Sequence, residues 1–123
     1  MKILIVEDDP ILREFLLEVL DGGGYEVRES ADGDAALQCL QDFAAHILIT
    51  DLVMPHCDGI SLIAKVKRLY PQLRIIAMSG RSRNDLDIDS LQLVQALGAD
   101  VTLQKPFLVE QIEAAIAQLM PRH

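Results

Sequence analysis

Ile47-Leu48-Ile49-Thr50-Asp51-Leu52-Val53-Met54-Pro55 decides how this chain folds. Residues 47–50 carry three aliphatic side chains in four, the length and composition of a strand buried on both faces. Pro55 has no N–H and a fixed φ, so it stops any further ladder. Asp51 therefore stands where a buried strand gives out into a loop. A carboxylate there is either a desolvated acid or one held by cations.

The same pattern recurs on either side. Ile3-Leu4-Ile5-Val6 is a second buried strand, and it ends in three acids, Glu7-Asp8-Asp9, followed by Pro10. Proline suits the first turn of a helix and Asp9 can cap it. Apolar residues then fall at helical spacing from Ile11 to Leu20, and Asp21-Gly22-Gly23-Gly24 closes that helix. Tyr25–Glu29 alternates as a half-buried edge strand, and Asp32-Gly33 marks a turn before an Ala-rich helix through Leu40, with Phe43 at its margin. Beyond Pro55, His56-Cys57-Asp58-Gly59 reads as loop, and Ile60 to Leu69 as a third helix stopped before Pro71. Arg74–Met78 is a fourth strand ending at Ser79-Gly80. A polar loop, Arg81–Asp85, leads to a fourth helix over Leu86, Leu91, Val94 and Leu97. Val101–Leu103 is a fifth strand ending at Gln104-Lys105-Pro106, and Leu108 to Leu119 forms the last helix. Strand and helix alternate five times, which predicts a parallel sheet covered by helices on both faces, with ligands beyond the carboxyl ends of the strands.

Composition agrees with one domain. The chain has 123 residues, half of them hydrophobic, and only five aromatic side chains, so the predicted core is aliphatic. A net charge of −8 argues against direct binding of nucleic acid or an anionic membrane. No apolar run is long enough to span a bilayer, and the first residues lack the form of a signal peptide. Cys39 and Cys57 form neither a metal spacing nor a disulfide framework, and they read as reduced thiols of a cytoplasmic protein. His46, His56 and His123 have no ligand partners at metal spacing and read as surface or loop residues.

What converges at the strand ends is more specific. The first strand delivers Glu7 and Asp8, the third Asp51, the fourth Ser79 and the fifth Lys105. Three clustered carboxylates repel, and a hard divalent cation removes that cost; Mg²⁺ takes oxygen ligands and suits one or two carboxylates plus phosphate oxygens. With a lysine and a hydroxyl beside one exposed strand-end acid, these are the parts for phosphoryl transfer to that acid.

At these residues the chain resembles, over essentially its whole length, the receiver domain of two-component response regulators. The matching motifs are Ile5-Val6-Glu7-Asp8-Asp9, Asp51-Leu52-Val53-Met54-Pro55, Asp58-Gly59, Ser79-Gly80 and Lys105-Pro106-Phe107. The resemblance implies a flavodoxin-like doubly wound sheet of five strands, order 2-1-3-4-5, with five helices, and one receiver domain over residues 1–123; with no output domain expected in this chain, a single-domain regulator fits and so does a receiver cut from a longer protein. It implies Asp51 as phosphoacceptor from a histidine kinase or phosphotransfer protein, Ser79 as the switch hydroxyl and Lys105 as the phosphate contact. It implies Mg²⁺ held by Glu7, Asp8, Asp51 and the backbone carbonyl of Val53, with Glu7 acting largely through water. The Lys105–Pro106 bond is expected to be cis, the kinase to meet the first helix near Ile11–Leu20, and the output to pass to a protein target from a monomer or weak dimer.

Three features depart from the family pattern. Thr102 stands three residues before the lysine, where an aromatic residue is usual. The stretch after Ser79 is longer than in compact receivers and carries Arg81 and Arg83. Val53 is apolar where many relatives are polar, which suggests shielding of the phosphoaspartate from water. A phosphohydrolase on the same sheet is disfavoured, because Val53 stands where its second aspartate would be. A phosphorylation-independent scaffold is the other alternative, and it usually lacks one of the residues that are all present here.

Overall fold

The computed structural model describes residues 1–54, 57–80 and 95–120, and at 53, 54, 57 and 58 the backbone alone. Its strands are β1 (Lys2–Val6), β2 (Glu26–Ser30), β3 (Ile47–Asp51), β4 (Val53–Met54), β5 (Cys57–Asp58), β6 (Arg74–Ser79) and β7 (Val101–Gln104). The helices α1 (Pro10–Asp21), α2 (Gly33–Asp42) and α3 (Gly59–Leu69) are followed by a C-terminal helix, Val109–Leu119. Residues 95–97 are helical, at the end of the fourth predicted helix. The rest of that helix and the polar stretch Arg81–Asp85 lie outside the described residues.

The main sheet is all parallel in the order β2-β1-β3-β6-β7, which is 2-1-3-4-5 when its own strands alone are counted. The two-residue period of a strand sorts the side chains. Ile3, Ile5, Ile47, Ile49, Ile76 and Met78 pack under α1 and the C-terminal helix, against Leu16, Leu20, Ile112 and Ile116. Leu4, Val6, Leu48, Ile75 and Ala77 pack under α2 and α3, against Ala36, Leu40, Leu62, Ile63 and Val66. Each fully buried Ile or Leu is worth about 1.5–3 kcal/mol. An exposed pair such as Lys2–Glu26, at 3.8 Å, is worth at most about 1 kcal/mol, so apolar burial holds the sheet.

Local signals act as the residue types require. Asp9 caps α1, its Oδ1 accepting from the Ile11 N–H at 3.0 Å, and Pro10 opens the helix. Asp32, expected only to mark a turn, caps α2 by accepting from the Ala35 N–H at 2.8 Å. Phe43 is not a helical residue: it is the extended C-cap of α2, almost fully buried. Cys57 and Asp58, expected as loop, form β5, paired antiparallel with β4 (Val53↔Asp58, Met54↔Cys57). Two residues per strand leave too little periodicity for a sequence to reveal such a ribbon.

Strand order reverses between β1 and β3, both of which lie inside the sheet. In an open α/β sheet a crevice forms at that switch point, beyond the carboxyl ends. Glu7 follows β1 directly and Asp51 ends β3. Among the described residues no helix is long and apolar enough to cross a membrane.

Candidate functional site

The period that places Ile3 and Ile5 on one face carries that row on to Glu7, and Ile47 and Ile49 lead likewise to Asp51. The Glu7 N–H donates to the Ser30 carbonyl at 3.0 Å, extending the ladder one residue past β1. Glu7 is therefore wholly buried, and Asp51 is only 5 % exposed. Asp8, next along the chain, is exposed. One carboxylate oxygen from each of Glu7, Asp8 and Asp51 lies within 4.8 Å of the others.

Lys105 reaches into this cluster from the loop after β7. Its Nζ donates to Glu7 Oε1 and to Asp51 Oδ2, both at 2.9 Å. Its own N–H donates to the Ser79 carbonyl at 2.7 Å, which ties the ends of β6 and β7 together. The Lys105–Pro106 peptide is cis, as the resemblance implies. Ser79 is buried at the end of β6, directly after Met78, the ladder partner of Asp51. Val53 follows in β4, paired with Asp58, and its side chain lies outside the described residues. Thr102 is half-buried on β7, opposite Ala77.

Burial pushes the Glu7 carboxyl up from 4.5 to about 7, and the charge of Asp51 adds to the rise. The Asp9 N–H, which donates to Glu7 Oε2 at 3.0 Å, and the Lys105 ammonium pull it back. Burial also works against the charge of Lys105. Its hydrogen bonds to Asp51 and Glu7 outweigh that cost and hold its pKa above the ordinary value. The cluster thus has three acids and one internal cation, with a carboxylate that burial alone would neutralise. An all-oxygen donor set short of positive charge fits a hard divalent cation such as Mg²⁺. Both Glu7 oxygens already accept hydrogen bonds, so Asp8, whose carboxylate is exposed, is better placed than Glu7 to bind a cation directly.

Three supporting contacts escape a reading of motifs. Arg13 of α1 donates from Nη1 to the Glu7 carbonyl at 2.7 Å, and its Nε lies 3.8 Å from Glu29 Oε2 on β2. Thr50 donates from its hydroxyl to the Asp51 carbonyl at 3.0 Å. Gly59 opens α3 so close to β3 that a Cβ there would lie 2.4 Å from the Asp51 carbonyl oxygen. Gly59 stands in the Asp58-Gly59 motif, which does not reveal the contact, and Arg13 leaves a fainter signal: a cation in the first turn of a helix, where the dipole disfavours it.

The chain is similar to known proteins in sequence and in fold. Residues 3–117 match the sequence profile of the response regulator receiver domain. The chain is 36% identical over 116 residues to the response regulator receiver protein CpdR of Brucella abortus (strain 2308), covering 91% of this chain and 93% of that one. It is 30% identical over 120 residues to sporulation initiation phosphotransferase F of Bacillus subtilis (strain 168), covering 98% and 94%. A crystal structure of a putative response regulator from Chloroflexus aurantiacus J-10-fl superposes with a TM-score of 0.88 at 32% identity, covering 98% of each chain.

Proposed function

This chain belongs to the response regulator receiver domain family of two-component signalling, and on that premise we propose that Asp51 accepts a phosphoryl group from a histidine kinase or phosphotransfer protein. Receiver domains are signalling domains rather than classical enzymes. They bind Mg²⁺ at an acidic pocket and work between such donors and downstream targets. The observation that carries the reading for this chain is Lys105, whose ammonium lies 2.9 Å from both Glu7 and Asp51 inside a cluster of three acids.

Placement supports a role for each residue. Asp51 is held at the carboxyl end of a buried strand, and its carboxylate attacks the phosphorus of the donor phosphohistidine in line. A P–O bond forms as the P–N bond breaks, and the leaving imidazole nitrogen keeps the electron pair. Lys105, already bonded to the acceptor, offers its positive charge to the transferred oxygens. Ser79, at the end of the neighbouring strand, supplies the hydroxyl that responds to the new dianion. Asp8, Asp51 and the Val53 carbonyl would hold Mg²⁺, with Glu7 acting through water because its oxygens serve Lys105 and the Asp9 N–H. When bound, the ion supplies charge neutralisation for the phosphoryl oxygens.

Residues 1–123 act in this reading as one receiver domain in the cytoplasm, with its output made through a protein target. The phosphoryl donor docks at the start of α1, where Ile11 is 79 % exposed beside a cavity of about 580 Å³ lined by Leu12, Phe15, Lys105 and Phe107. A phosphorylation-independent scaffold is not favoured, since the acids, the hydroxyl and the lysine are all present.

Intact-protein mass after incubation with acetyl phosphate and Mg²⁺ tests the proposal. One phosphate adduct is expected, dependent on Mg²⁺ and lost in Asp51→Asn. No adduct from acetyl phosphate or from a panel of phosphorylated kinases, on folded protein, would overturn it.

A further inference from the structure

Glu7 and Asp8 are held in different ways. Glu7 is fixed through its side chain, by Lys105 on one oxygen and the Asp9 N–H on the other. Asp8 is exposed, and among the described residues no side-chain hydrogen bond orients it. The backbone that carries it sets where its Cα–Cβ bond points, and so where its reach to a cation begins. The peptide group joining Glu7 to Asp8 is gripped from α1, where the Arg13 guanidinium donates to the Glu7 carbonyl at 2.7 Å, a short charge-assisted bond.

Helix stability does not explain a cation at this position. α1 has no acid in its first turn, and the partial positive charge of a helix N-terminus disfavours arginine there. A second contact compensates that charge. Glu29 of β2, in register with Ile5 of β1, places Oε2 3.8 Å from Arg13 Nε. The arginine is half-buried between them. The guanidinium thus holds the carbonyl while its charge is met by Glu29, rather than standing against the cation that the acids would bind.

We propose that Arg13 is a positioning residue for the cation site: through the Glu7 carbonyl it fixes the Glu7–Asp8 peptide, and Glu29 holds and neutralises it. The inference rests on the receiver reading, in which Asp8 binds Mg²⁺.

The test is calorimetric titration of Mg²⁺ into the parent, Arg13→Ala, Arg13→Lys, Glu29→Gln and the double variant Arg13→Ala/Glu29→Gln, with a Tm for each. Loss of an outer partner of a metal site typically weakens binding by roughly tenfold, and Arg13→Ala is expected to do so. Arg13→Lys, which keeps a donor, recovers most of the affinity. Glu29→Gln weakens Mg²⁺ by less, and the double variant is no worse than Arg13→Ala, because both substitutions break one chain of contacts. Val19→Ala, at the far end of α1, lowers Tm without moving the Kd. Parent-like affinity in Arg13→Ala, or tighter binding because a repulsive charge has gone, would overturn the inference alone. If Arg13→Ala does not fold, Glu29→Gln decides, and parent-like affinity there overturns it equally. A parent that binds no Mg²⁺ overturns the metal reading and the inference together.

Discussion

The Lys105 ammonium stands 2.9 Å from Asp51 Oδ2, although 54 residues separate the two in the chain. The same nitrogen donates to Glu7 Oε1, 98 residues away. One cation thus holds the ends of β1, β3 and β7 together through two acids that would otherwise repel.

Lys105→Met is expected to remove that compensation. Breaking a buried pair by deleting one partner costs about 3–5 kcal/mol, and the 23 % exposure of the Lys105 side chain reduces this to about 2 kcal/mol at pH 8 without Mg²⁺. The loss shrinks at pH 5, where Glu7 is protonated. Urea unfolding at both pH values checks the difference, and an equal loss at both would contradict it.

Glu7 itself makes the metal-free protein sensitive to pH. Its folded pKa of about 7 lies above the ordinary 4.5, so the folded state binds more protons than the unfolded state between those values. The stabilising contribution is therefore complete below about pH 4.5 and is lost as pH rises through about 7, by on the order of a few kcal/mol. Glu7→Gln is expected to flatten that part of the profile. Denaturation midpoints from pH 5 to 8 in EDTA, compared between parent and variant, measure it, and superimposable slopes would refute the assignment.

Gly59→Ala is expected to disturb Asp51 from behind. The new Cβ would lie 2.4 Å from the Asp51 carbonyl oxygen and 2.6 Å from Leu52 Cα, both backbone atoms that cannot rotate away. Either α3 or the end of β3 must shift, at about 1–3 kcal/mol. Phosphorylation by acetyl phosphate slows in the fraction that remains folded. A parent-like rate at parent-like stability would show that the two segments separate freely.

Asp100→Ala provides the contrast at the opposite end of the sheet. Asp100 Oδ2 accepts from the Ile75 N–H at 2.8 Å, and its carboxylate lies 3.6 Å from the Lys67 ammonium and 3.4 Å from Arg74 Nη1. Its loss is expected to cost about 1–3 kcal/mol by stranding that N–H. The phosphorylation rate of the folded protein stays within about twofold, since the sites share no partner. Equilibrium unfolding and a mass-based time course separate the two effects.

Strand period and punctuation determined most of this protein without any coordinates. Runs such as Ile3–Val6 and Ile47–Thr50 admit few structures other than buried parallel strands, and the acids and lysine at their ends are brought to one sheet edge by chain direction alone. The residues there could be grouped because a parallel sheet leaves them nowhere else to be. Contacts between elements were not legible, because they depend on how helices and loops approach rather than on any local period. Arg13 meets the Glu7 carbonyl only once α1 has docked, Gly59 nears Asp51 only once α3 has packed, and the β4–β5 ribbon is too short to carry a pattern. Tertiary structure alone decided that Lys105 would satisfy Glu7 as well as Asp51. That choice rests on the burial of Glu7, which sets the need for a counter-charge and which no single stretch of sequence displays.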